Sequence, residues 1–308
     1  MIYTVTFNPA VDYVVKLDTL AGGKINRTLS ENICWGGKGI NVSSVLKALD
    51  VPSTALGFTA GFTGKAFADA VSAMGIKTDF IHLESGMTRI NMKIHALEND
   101  EETEINGMGP DIPPSAAQEL FHRLDTLSDG DILVLAGSVP KSVDPDIYEI
   151  ICRRMAGSGV KIVADAAGEL LMRLIPLKPF LIKPNHIEAG EMLGTVIESV
   201  DDAKACALKM REMGAENVII SMAERGAVLA DENGNVHSIG APSGEVVNSV
   251  GAGDSMLAGF LAGFIRTGSY DTALKWGTAA GSATAFSVGT ASRQDFDRML
   301  ERIERERI

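Results

Sequence analysis

Two glycine-rich segments of the chain each lead into an apolar run and carry a charged side chain. The first reads GGKG, from Gly36 to Gly39, and the second reads GAGD, from Gly251 to Asp254. A helix N-terminus offers unpaired amide groups and a partial positive charge, and small residues let an anion approach that backbone closely. Lys38 adds a cation to the first segment, and Asp254 adds a carboxylate to the second. Each segment alone is also compatible with an ordinary turn before a helix, since Asp is a good residue at a helix start.

The presence of both segments in one chain favours two anion sites, and the carboxylate beside one of them favours phosphoryl transfer. One site would hold the phosphates of a donor and the other the acceptor, whose hydroxyl proton Asp254 would accept. The chain has no Walker A loop, because Thr59 stands where the leading glycine would precede Gly64-Lys65 and Ala66 replaces Ser or Thr. It also lacks a GxGxxG fingerprint after a first strand, which argues against a dinucleotide oxidoreductase.

Composition limits the classes of function further. The 308 residues are 45% hydrophobic, with 28 basic and 40 acidic residues and a formal net charge of −12. Scattered basic residues in an acidic chain argue against nucleic acid as the main partner. A protein of this charge must bind an anion through a few local cations and backbone amides.

Neither an export signal nor a membrane span is predicted. The N-terminal residues MIYTVTFNPAVDY have no basic region followed by a long apolar stretch, and their pattern is that of a strand. The longest apolar run, Met256 to Ile265, is too short to cross a bilayer. The three cysteines, Cys34, Cys152 and Cys206, are far apart and odd in number, which favours free thiols in a reducing compartment. We therefore expect a cytoplasmic protein with no membrane partner.

The elements that must position the two glycine segments form an alternating pattern. Strand-like runs that are apolar on both faces occur at 131–138, 160–166, 180–185 and 216–223. Helix-like stretches occur at 115–127, 144–158 and 200–213. Buried strands separated by helices predict βαβ units in a parallel sheet, where ligands lie beyond the carboxyl ends of the strands. The residues at those ends are Ser138, Asp165, Lys183–Asn185 and Ser221.

A second pattern indicates strands outside that sheet. In TRINMKIHA, from Thr88 to Ala96, the apolar residues Ile90, Met92 and Ile94 alternate with polar ones, and 12–20 is similar. Alternation is typical of a sheet with one covered face and one exposed face. Together with 102–106, these strands predict a small sheet whose apolar face rests on the site or on a second subunit. We expect one domain spanning 1–308, with lid strands inserted at about 12–35 and 88–107.

Several motifs, in this order along the chain, resemble those of the ribokinase-like, phosphofructokinase-B family of sugar kinases. The two signature segments are GGKGINVS and NSVGAGD, and NPAVD, TRIN, KPNHIEAGE and SMAERG also match. The resemblance covers the whole chain, and the joint occurrence of both signatures is highly specific. It implies an α/β, ribokinase-like fold with a central, mostly parallel sheet flanked by helices and a small β-sheet lid. It also implies ATP and Mg²⁺ as cofactors and a homodimer formed through the lid.

Within this family the motifs are most similar to those of bacterial 1-phosphofructokinases, followed by tagatose-6-phosphate kinases. The resemblance implies an ATP-dependent kinase that phosphorylates fructose 1-phosphate at the 6-hydroxyl, giving fructose 1,6-bisphosphate and ADP. The alternative is tagatose 6-phosphate, or fructose 6-phosphate, phosphorylated at the 1-hydroxyl. All of these substrates carry a phosphate at one end and a free hydroxyl at the other, so the residues leave this choice open. A non-catalytic sugar-phosphate sensor on the same fold would have no reason to keep Asp254.

The resemblance assigns a role to each matching residue. Asp254 would be the base for the sugar hydroxyl, and the amides of Gly251, Ala252 and Gly253 would bind the transferring γ-phosphate. The residues expected at the sugar hydroxyls are Asp12, Gly37 and Asn41. The residues expected at the phosphate already on the substrate are Lys38, Arg89, Ser138 and Arg27. The residues expected around the nucleotide are Lys183, Asn185, Ser221, Gly226, Asn248, Gly251 and Gly253.

The remaining expectations concern metal ions and departures from the family. Asn185 and Glu188 match the family's NxxE element, which orients Mg²⁺ through water. On the residues alone, a glutamate that stabilises a helix N-terminus is the preferred interpretation of Glu188. Asn248 stands where an aspartate is usual, which leaves a monovalent-cation requirement open. Trp35 is bulkier than expected before the glycines, so it either packs in the core or touches the sugar site.

Overall fold

The computed structural model describes residues 1–306, which form ten α-helices and two β-sheets. The strands of the larger sheet are β1 (Ile2–Thr6), β4 (Ser53–Ala60), β5 (Lys77–Leu83), β8 (Ile132–Ala136), β9 (Lys161–Asp165), β10 (Leu181–Ile182), β11 (Asn217–Ser221), β12 (Ala227–Ala230) and β13 (Val236–Ile239). The strands of the smaller sheet are β2 (Ala10–Leu17), β3 (Ser30–Gly36), β6 (Arg89–Ala96) and β7 (Glu101–Ile105). The helices are α1 (Lys38–Ala48), α2 (Gly61–Ala73), α3 (Pro114–Leu124), α4 (Ile147–Met155), α5 (Gly168–Leu174), α6 (His186–Leu193), α7 (Val200–Glu212), α8 (Ala252–Thr267), α9 (Tyr270–Ala285) and α10 (Arg293–Glu306).

The larger sheet has the order β13-β12-β11-β10-β9-β8-β1-β4-β5. Neighbouring strands from β5 to β11 are parallel, and β12 and β13 add an antiparallel edge. Every residue of β4 and of β8 is buried, as in parallel strands covered on both faces. The prediction of a central, mostly parallel sheet is confirmed.

Alternate side chains of the larger sheet enter two separate apolar layers. In β8, Leu133 and Leu135 pack into the layer that also contains residues of α3, α4, α5 and α7. Ile132 and Val134 point the other way and join residues of α1, α8, α9 and α10. Helices α8 and α9 approach closely, because a Cβ at Gly259 would lie only 2.4 Å from the carbonyl oxygen of Trp276. The sheet and its two helical layers therefore give the strand ends a rigid support.

The smaller sheet, which we call the lid sheet, has the order β3-β2-β6-β7. Strand β2 pairs in parallel with β6, and β3 and β7 pair antiparallel at the two edges. The first two lid strands span 10–36, slightly beyond the expected 12–35, and the other two span 89–105, inside the expected 88–107.

The apolar face of the lid sheet, expected to rest on the site or on a second subunit, is partly uncovered in the single chain. Ile94 is buried, but Ile90 and Met92 are each 39% exposed, so this part of the apolar face is uncovered. The polar residue Asn91, on the opposite face, is only 5% exposed. Its amide nitrogen donates to Asp12 Oδ1, and its oxygen accepts from the amide of Gly107, which makes burial of a polar side chain tolerable. The covered face of the lid is thus polar at this end, because hydrogen bonds satisfy it.

Three further expectations concern the cysteines, Trp35 and membrane spans. All three cysteines are free thiols, with Cys34 exposed and Cys152 and Cys206 buried. Trp35 packs edge-on against Phe67, with ring centroids 6.1 Å apart, which favours its packing role. Within residues 1–306, no helix combines the length and apolar character needed to cross a membrane.

Candidate active site

A cavity of about 830 Å³ opens at the carboxyl ends of β1, β8 and β9. This is where ligands bind in open α/β sheets. The expected site residues that line it are Gly37, Lys38, Arg89 and Ser138. Two further cations of the wall, Lys141 and Arg173, were not among the expected residues. Lys141 lies three residues after Ser138 in the same strand-end loop, and this position could have indicated that it belongs to the site.

The GAGD segment forms the start of α8. Gly251 precedes the helix in the left-handed conformation, with φ of 81°, which glycine adopts without strain. The first amides of a helix have no intrahelical acceptor. A Cβ at Gly253 would lie 3.0 Å from Lys183 Nζ, so the ammonium group lies directly against this turn. Amide donors and a cation in one place suit an anion.

The GGKG segment leads into α1, which begins at Lys38. Gly37 has φ of 132°, and a Cβ there would lie 2.8 Å from the side chain of Thr6. The absence of a side chain therefore lets the start of α1 pack against the end of β1. Asn41, in the first turn of α1, donates to Asp254 Oδ2 at 2.8 Å. This hydrogen bond joins the starts of α1 and α8, which lie on the same face of the sheet.

Two carboxylates and two ammonium groups meet where these segments come together, and we call Lys38, Asp165, Lys183 and Asp254 the charged cluster. Asp165 is the last residue of β9. Its Oδ1 lies 3.4 Å from Lys38 Nζ and 3.5 Å from Lys183 Nζ. Asp165, Lys183 and Asp254 are all buried, whereas the side chain of Lys38 is 42% exposed. Asp165 was noted as a strand-end residue in the sequence, but nothing there indicated these partners.

Burial and neighbouring charge alter the pKa values in the charged cluster. Burial, followed by the negative charge of Asp165, raises the pKa of Asp254 to about 6, against the opposing effects of Lys38, Asn41 and Lys183. Burial also acts to raise the pKa of Asp165, but Lys183 and Lys38 outweigh it and hold that pKa below its usual value. Asp254 is therefore the carboxyl of the pair that is protonated first as the pH falls. A base with a pKa near the working pH is suited to general base catalysis.

The lid sheet carries two expected residues, of which Arg89 lines the cavity and Asp12 does not. Asp12 accepts from Asn91 and lies 3.5 Å from Lys93 Nζ, so its carboxylate is held in place from β6. Arg89 lines the cavity, and its Nε donates to the carbonyl oxygen of Asn8 at 3.1 Å. Because this bond holds Nε of the planar guanidinium group, it also fixes the direction of the two terminal nitrogens of Arg89. Asn91 was not predicted as a supporting residue, because the alternating pattern of the strand did not indicate that it is buried.

The NxxE element forms the start of α6. Asn185 Oδ1 accepts from the amides of Ile187 and Glu188, and Glu188 Oε2 accepts from the amide of Asn185. This is a capping box, which accounts for both residues structurally. Oε1 of Glu188 is not used in it. Within the described residues, no group of three or more acidic, histidine or cysteine side chains is arranged to hold a metal ion directly.

The other residues expected at the nucleotide lie outside the lining of this cavity. Ser221 forms an isolated bridge with Asn185, so the two are adjacent at neighbouring strand ends. Gly226 has φ of 86°, and a Cβ there would lie 2.0 Å from the carbonyl oxygen of Ile239, so the backbone itself requires glycine. Asn248 Oδ1 accepts from the amide of Val250 at 2.9 Å. Each of these positions has a local structural explanation of its own.

Arg27 is the expected phosphate ligand that the structure does not bring to the site. It lies in the exposed connection between β2 and β3. Arg27 is not among the described residues that line the cavity. The other expected phosphate ligands, Lys38, Arg89 and Ser138, do line it.

Comparisons with known proteins agree with this geometry. The sequence profile of the pfkB family carbohydrate kinases matches residues 6–296. A 1-phosphofructokinase from Bacillus subtilis (strain 168) is 44% identical over 308 residues, which is 100% of each chain. A D-tagatose-1-phosphate kinase from Bacillus licheniformis is 35% identical over 305 residues, 99% of each chain. The solved structure of a Staphylococcus aureus protein assigned as a phosphofructokinase has a TM-score of 0.86 at 40% identity, covering 98% of this chain and 97% of the other.

These matches extend over the same residues as the fold and the site. The profile begins in β1 and ends within α10, so it includes both glycine segments and the lid sheet. The fold is ribokinase-like, as the motifs implied. The chain belongs to the pfkB family of carbohydrate kinases.

Proposed function

We propose that this chain is an ATP-dependent kinase that transfers the γ-phosphoryl group to the 6-hydroxyl of fructose 1-phosphate, giving fructose 1,6-bisphosphate and ADP. The observation that carries the proposal is Asp254, a buried carboxylate with a pKa raised to about 6, at the start of a glycine-preceded helix. The full-length similarity to the Bacillus subtilis 1-phosphofructokinase supports the choice of substrate.

The chemistry follows from the charged cluster and the turn beside it. The oxygen of the sugar hydroxyl attacks the γ-phosphorus while Asp254 accepts the hydroxyl proton. The bond between the γ-phosphorus and the ADP oxygen breaks. The free amides at the start of α8 and the ammonium of Lys183 face the transferring group and stabilise the charge that develops on it. Lys38, paired with Asp165 beside Asp254, lies nearer to this reacting end than the family resemblance implied. We therefore assign Lys38 to the transferring phosphoryl group.

The opposite end of the substrate carries its own phosphate. Arg89 and Ser138 line the cavity and are the groups we assign to it, with Lys141 as an added cation of the wall. The planar fork of Arg89 matches two phosphate oxygens at once. Asp12 and Asn41 would accept and donate hydrogen bonds at the sugar hydroxyls between the two ends. This arrangement makes a sugar that already bears a phosphate a better acceptor than a free sugar.

Magnesium would be held with ATP near the NxxE element. Asn185 and Glu188 are committed to the capping box, but Glu188 Oε1 remains able to accept a hydrogen bond from a metal-bound water. The residues therefore fit an ion that keeps several waters and relies on phosphate oxygens. When bound, Mg²⁺ would neutralise charge on the transferring phosphates. Ser221, Gly226 and Asn248 are the residues we assign to the surroundings of the nucleotide.

We also infer a homodimer formed through the lid sheet and a cytoplasmic location. The exposed apolar side chains Ile33, Ile90, Met92 and Ile105 all lie on strands of the lid sheet. Exposed apolar patches of this kind are typical of protein interfaces. Free thiols at Cys34, Cys152 and Cys206 fit a reducing compartment.

A second substrate has support from one specific relative. The Bacillus licheniformis D-tagatose-1-phosphate kinase aligns over 99% of this chain at 35% identity. Tagatose 1-phosphate differs from fructose 1-phosphate only in the configuration at one carbon, and it would present the same phosphate and the same 6-hydroxyl. The difference between the two sugars falls on hydroxyls assigned to Asp12 and Asn41.

ADP release with ATP and Mg²⁺ across a panel of acceptors tests the proposal. The panel contains fructose 1-phosphate, tagatose 1-phosphate, tagatose 6-phosphate, fructose 6-phosphate, fructose and ribose. We expect the highest kcat/KM with fructose 1-phosphate. A clear preference for a tagatose phosphate or for fructose 6-phosphate would overturn the substrate and keep the reaction class. Turnover of only the unphosphorylated sugars would overturn the assignment of Arg89 and Ser138.

A further inference from the structure

The carboxylate of Asp165 has no role in the reaction described above, yet it has the most demanding position in the site. It is 3% exposed at the end of β9, between β8 and β10 in the sheet. An isolated ionised carboxylate is unfavourable in such a place unless it is paired. Its Oδ1 lies within 3.5 Å of two ammonium groups, those of Lys38 and Lys183. One carboxylate oxygen thus holds both cations of the charged cluster.

The two lysines reach Asp165 from separate parts of the chain. Lys38 is the first residue of α1, and Lys183 follows β10. Lys183 Nζ also lies 3.0 Å from the position that a Cβ of Gly253 would occupy. Asp165 therefore holds this ammonium group against the GAGD turn. A flexible lysine side chain has many rotamers, and a fixed partner reduces the loss of freedom on binding a phosphate. Removal of the Asp165 charge should release both lysines together.

Asp165 also faces the proposed base. Asp165 and Asp254 are both buried and share the neighbouring cations Lys38 and Lys183, and Asp165 Oδ2 has no hydrogen-bond donor among the described residues. A proton carried by Asp254 would satisfy this oxygen. The negative charge of Asp165 therefore favours the protonated form of Asp254.

We propose that Asp165 is a positioning residue for the proposed base: its buried carboxylate holds Lys38 and Lys183 beside Asp254 at the start of α8. This inference rests on the proposed phosphoryl transfer at Asp254. The groups that face Asp254 are Lys38 and Asn41 from α1, Asp165 from β9 and Lys183 after β10. Glu188 of α6 acts on this set through Lys38.

A purely structural ion pair predicts a different outcome from a positioning residue. If Asp165 only stabilised the fold, its removal would lower the unfolding temperature and leave the pH dependence of the folded enzyme unchanged. If it acts on Asp254, the neutral variant Asp165→Asn must lower the pKa of Asp254, because one negative neighbour is lost and two positive ones remain. The charge-retaining variant Asp165→Glu must leave that pKa close to the wild-type value.

The test compares the full-length wild type, Asp165→Asn and Asp165→Glu in two measurements. The first is the pH profile of kcat/KM with fructose 1-phosphate and ATP. We expect the acidic limb of Asp165→Asn to move down by about 1 pH unit. We expect kcat at the plateau to fall about 10- to 100-fold, less than the loss expected when a stabilising donor is itself removed. Asp165→Glu should keep the wild-type limb and recover part of kcat.

The second measurement follows the ¹³C carboxyl resonance of Asp254 during a pH titration without substrate. The resonance is identified by its absence in the Asp254→Asn spectrum. A wild type that is inactive with every acceptor would refute the proposed function, while this titration would still test the link between the two carboxyls. Should Asp165→Asn fail to fold, Asp165→Ser serves instead, since it also removes the negative charge and should lower the Asp254 pKa. An unmoved resonance and an unmoved acidic limb in the folded variant would overturn the proposal.

Discussion

The charged cluster and the lid sheet meet at the same cavity, but they are built in opposite ways. The cluster lies at the carboxyl ends of β9 and β10 and at the starts of α1 and α8, and three of its four side chains are buried. The lid sheet has four strands, with hydrogen-bonded polar side chains such as Asn91 facing inwards and apolar ones such as Met92 exposed. One region is fixed by the core, and the other is fixed mainly by its own strand pairing.

This difference indicates a division of labour. Proton transfer requires atoms held within a fraction of an ångström, which a packed sheet supported on both faces provides. Recognition of the sugar and exclusion of water require a part that can approach and withdraw. The comparison predicts that changes in the cluster lower kcat, whereas changes in the lid alter KM or assembly.

The largest effect is expected at the base itself. Asp254→Asn keeps the size and burial of the side chain but removes the group that accepts the hydroxyl proton. We expect kcat to fall about 10²- to 10⁴-fold. The unfolding temperature should not fall, because a buried charge has been replaced by a neutral amide. Steady-state ADP release and a thermal melt measure the two quantities.

The matched control for that change is Asp201→Asn. The Asp201 side chain is 89% exposed in the first turn of α7, and its pairing is a surface contact with Lys204. Its kcat should equal that of the wild type. Retention of more than a tenth of the activity in Asp254→Asn would remove the base from the mechanism.

In the lid, Arg89→Ala should raise KM for the sugar phosphate and change kcat little. The lost hydrogen bonds are to a charged group, for which about 1.5–3 kcal/mol each is typical, so KM should rise at least about 10-fold. Arg153→Ala, on the exposed surface of α4, is the control because its partner Glu149 is a helix neighbour. Initial rates over a range of sugar-phosphate concentrations make the measurement. An equal fall in kcat and in kcat/KM would contradict the proposed division between lid and cluster.

The pH dependence should report the ionisation of Asp254 together with that of the substrate phosphate. Burial and Asp165 raise the pKa of Asp254 to about 6, so the base is ionised above that pH and is lost as the pH falls through it. We expect kcat/KM to be level above about pH 7 and to fall about 10-fold per unit below pH 6. The substrate phosphate also titrates near pH 6. The residual activity of Asp254→Asn, measured over the same range, gives the contribution of the substrate and must fall less steeply.

The sequence predicted the strands and glycine turns that support the site, but it did not predict which charged side chains pair within it. Continuous apolar runs such as 131–138 predicted the buried parallel strands, and the glycines marked the starts of α1 and α8. The pairing of Asp165 with Lys38 and Lys183 depends on strand order, which local patterns do not encode. Alternation in 88–96 indicated that the two faces of the strand differ but not which one is covered within the single chain, where Ile90 and Met92 are exposed. Hydrogen-bond satisfaction of Asn91 decided that question.

The smallest effect on the single chain is expected on the outer face of the lid sheet. Met92→Lys places a charge among the exposed apolar residues of β6, so it should dissociate a dimer formed through this face. Because the side chain is 39% exposed, the stability of the monomer should change by no more than about 0.5 kcal/mol. Val196→Lys, at a 74% exposed residue between α6 and α7, is the control. Sedimentation velocity should give a dimer for the wild type and the control and a monomer for Met92→Lys, whereas a monomeric wild type would show that the apolar lid face has another use.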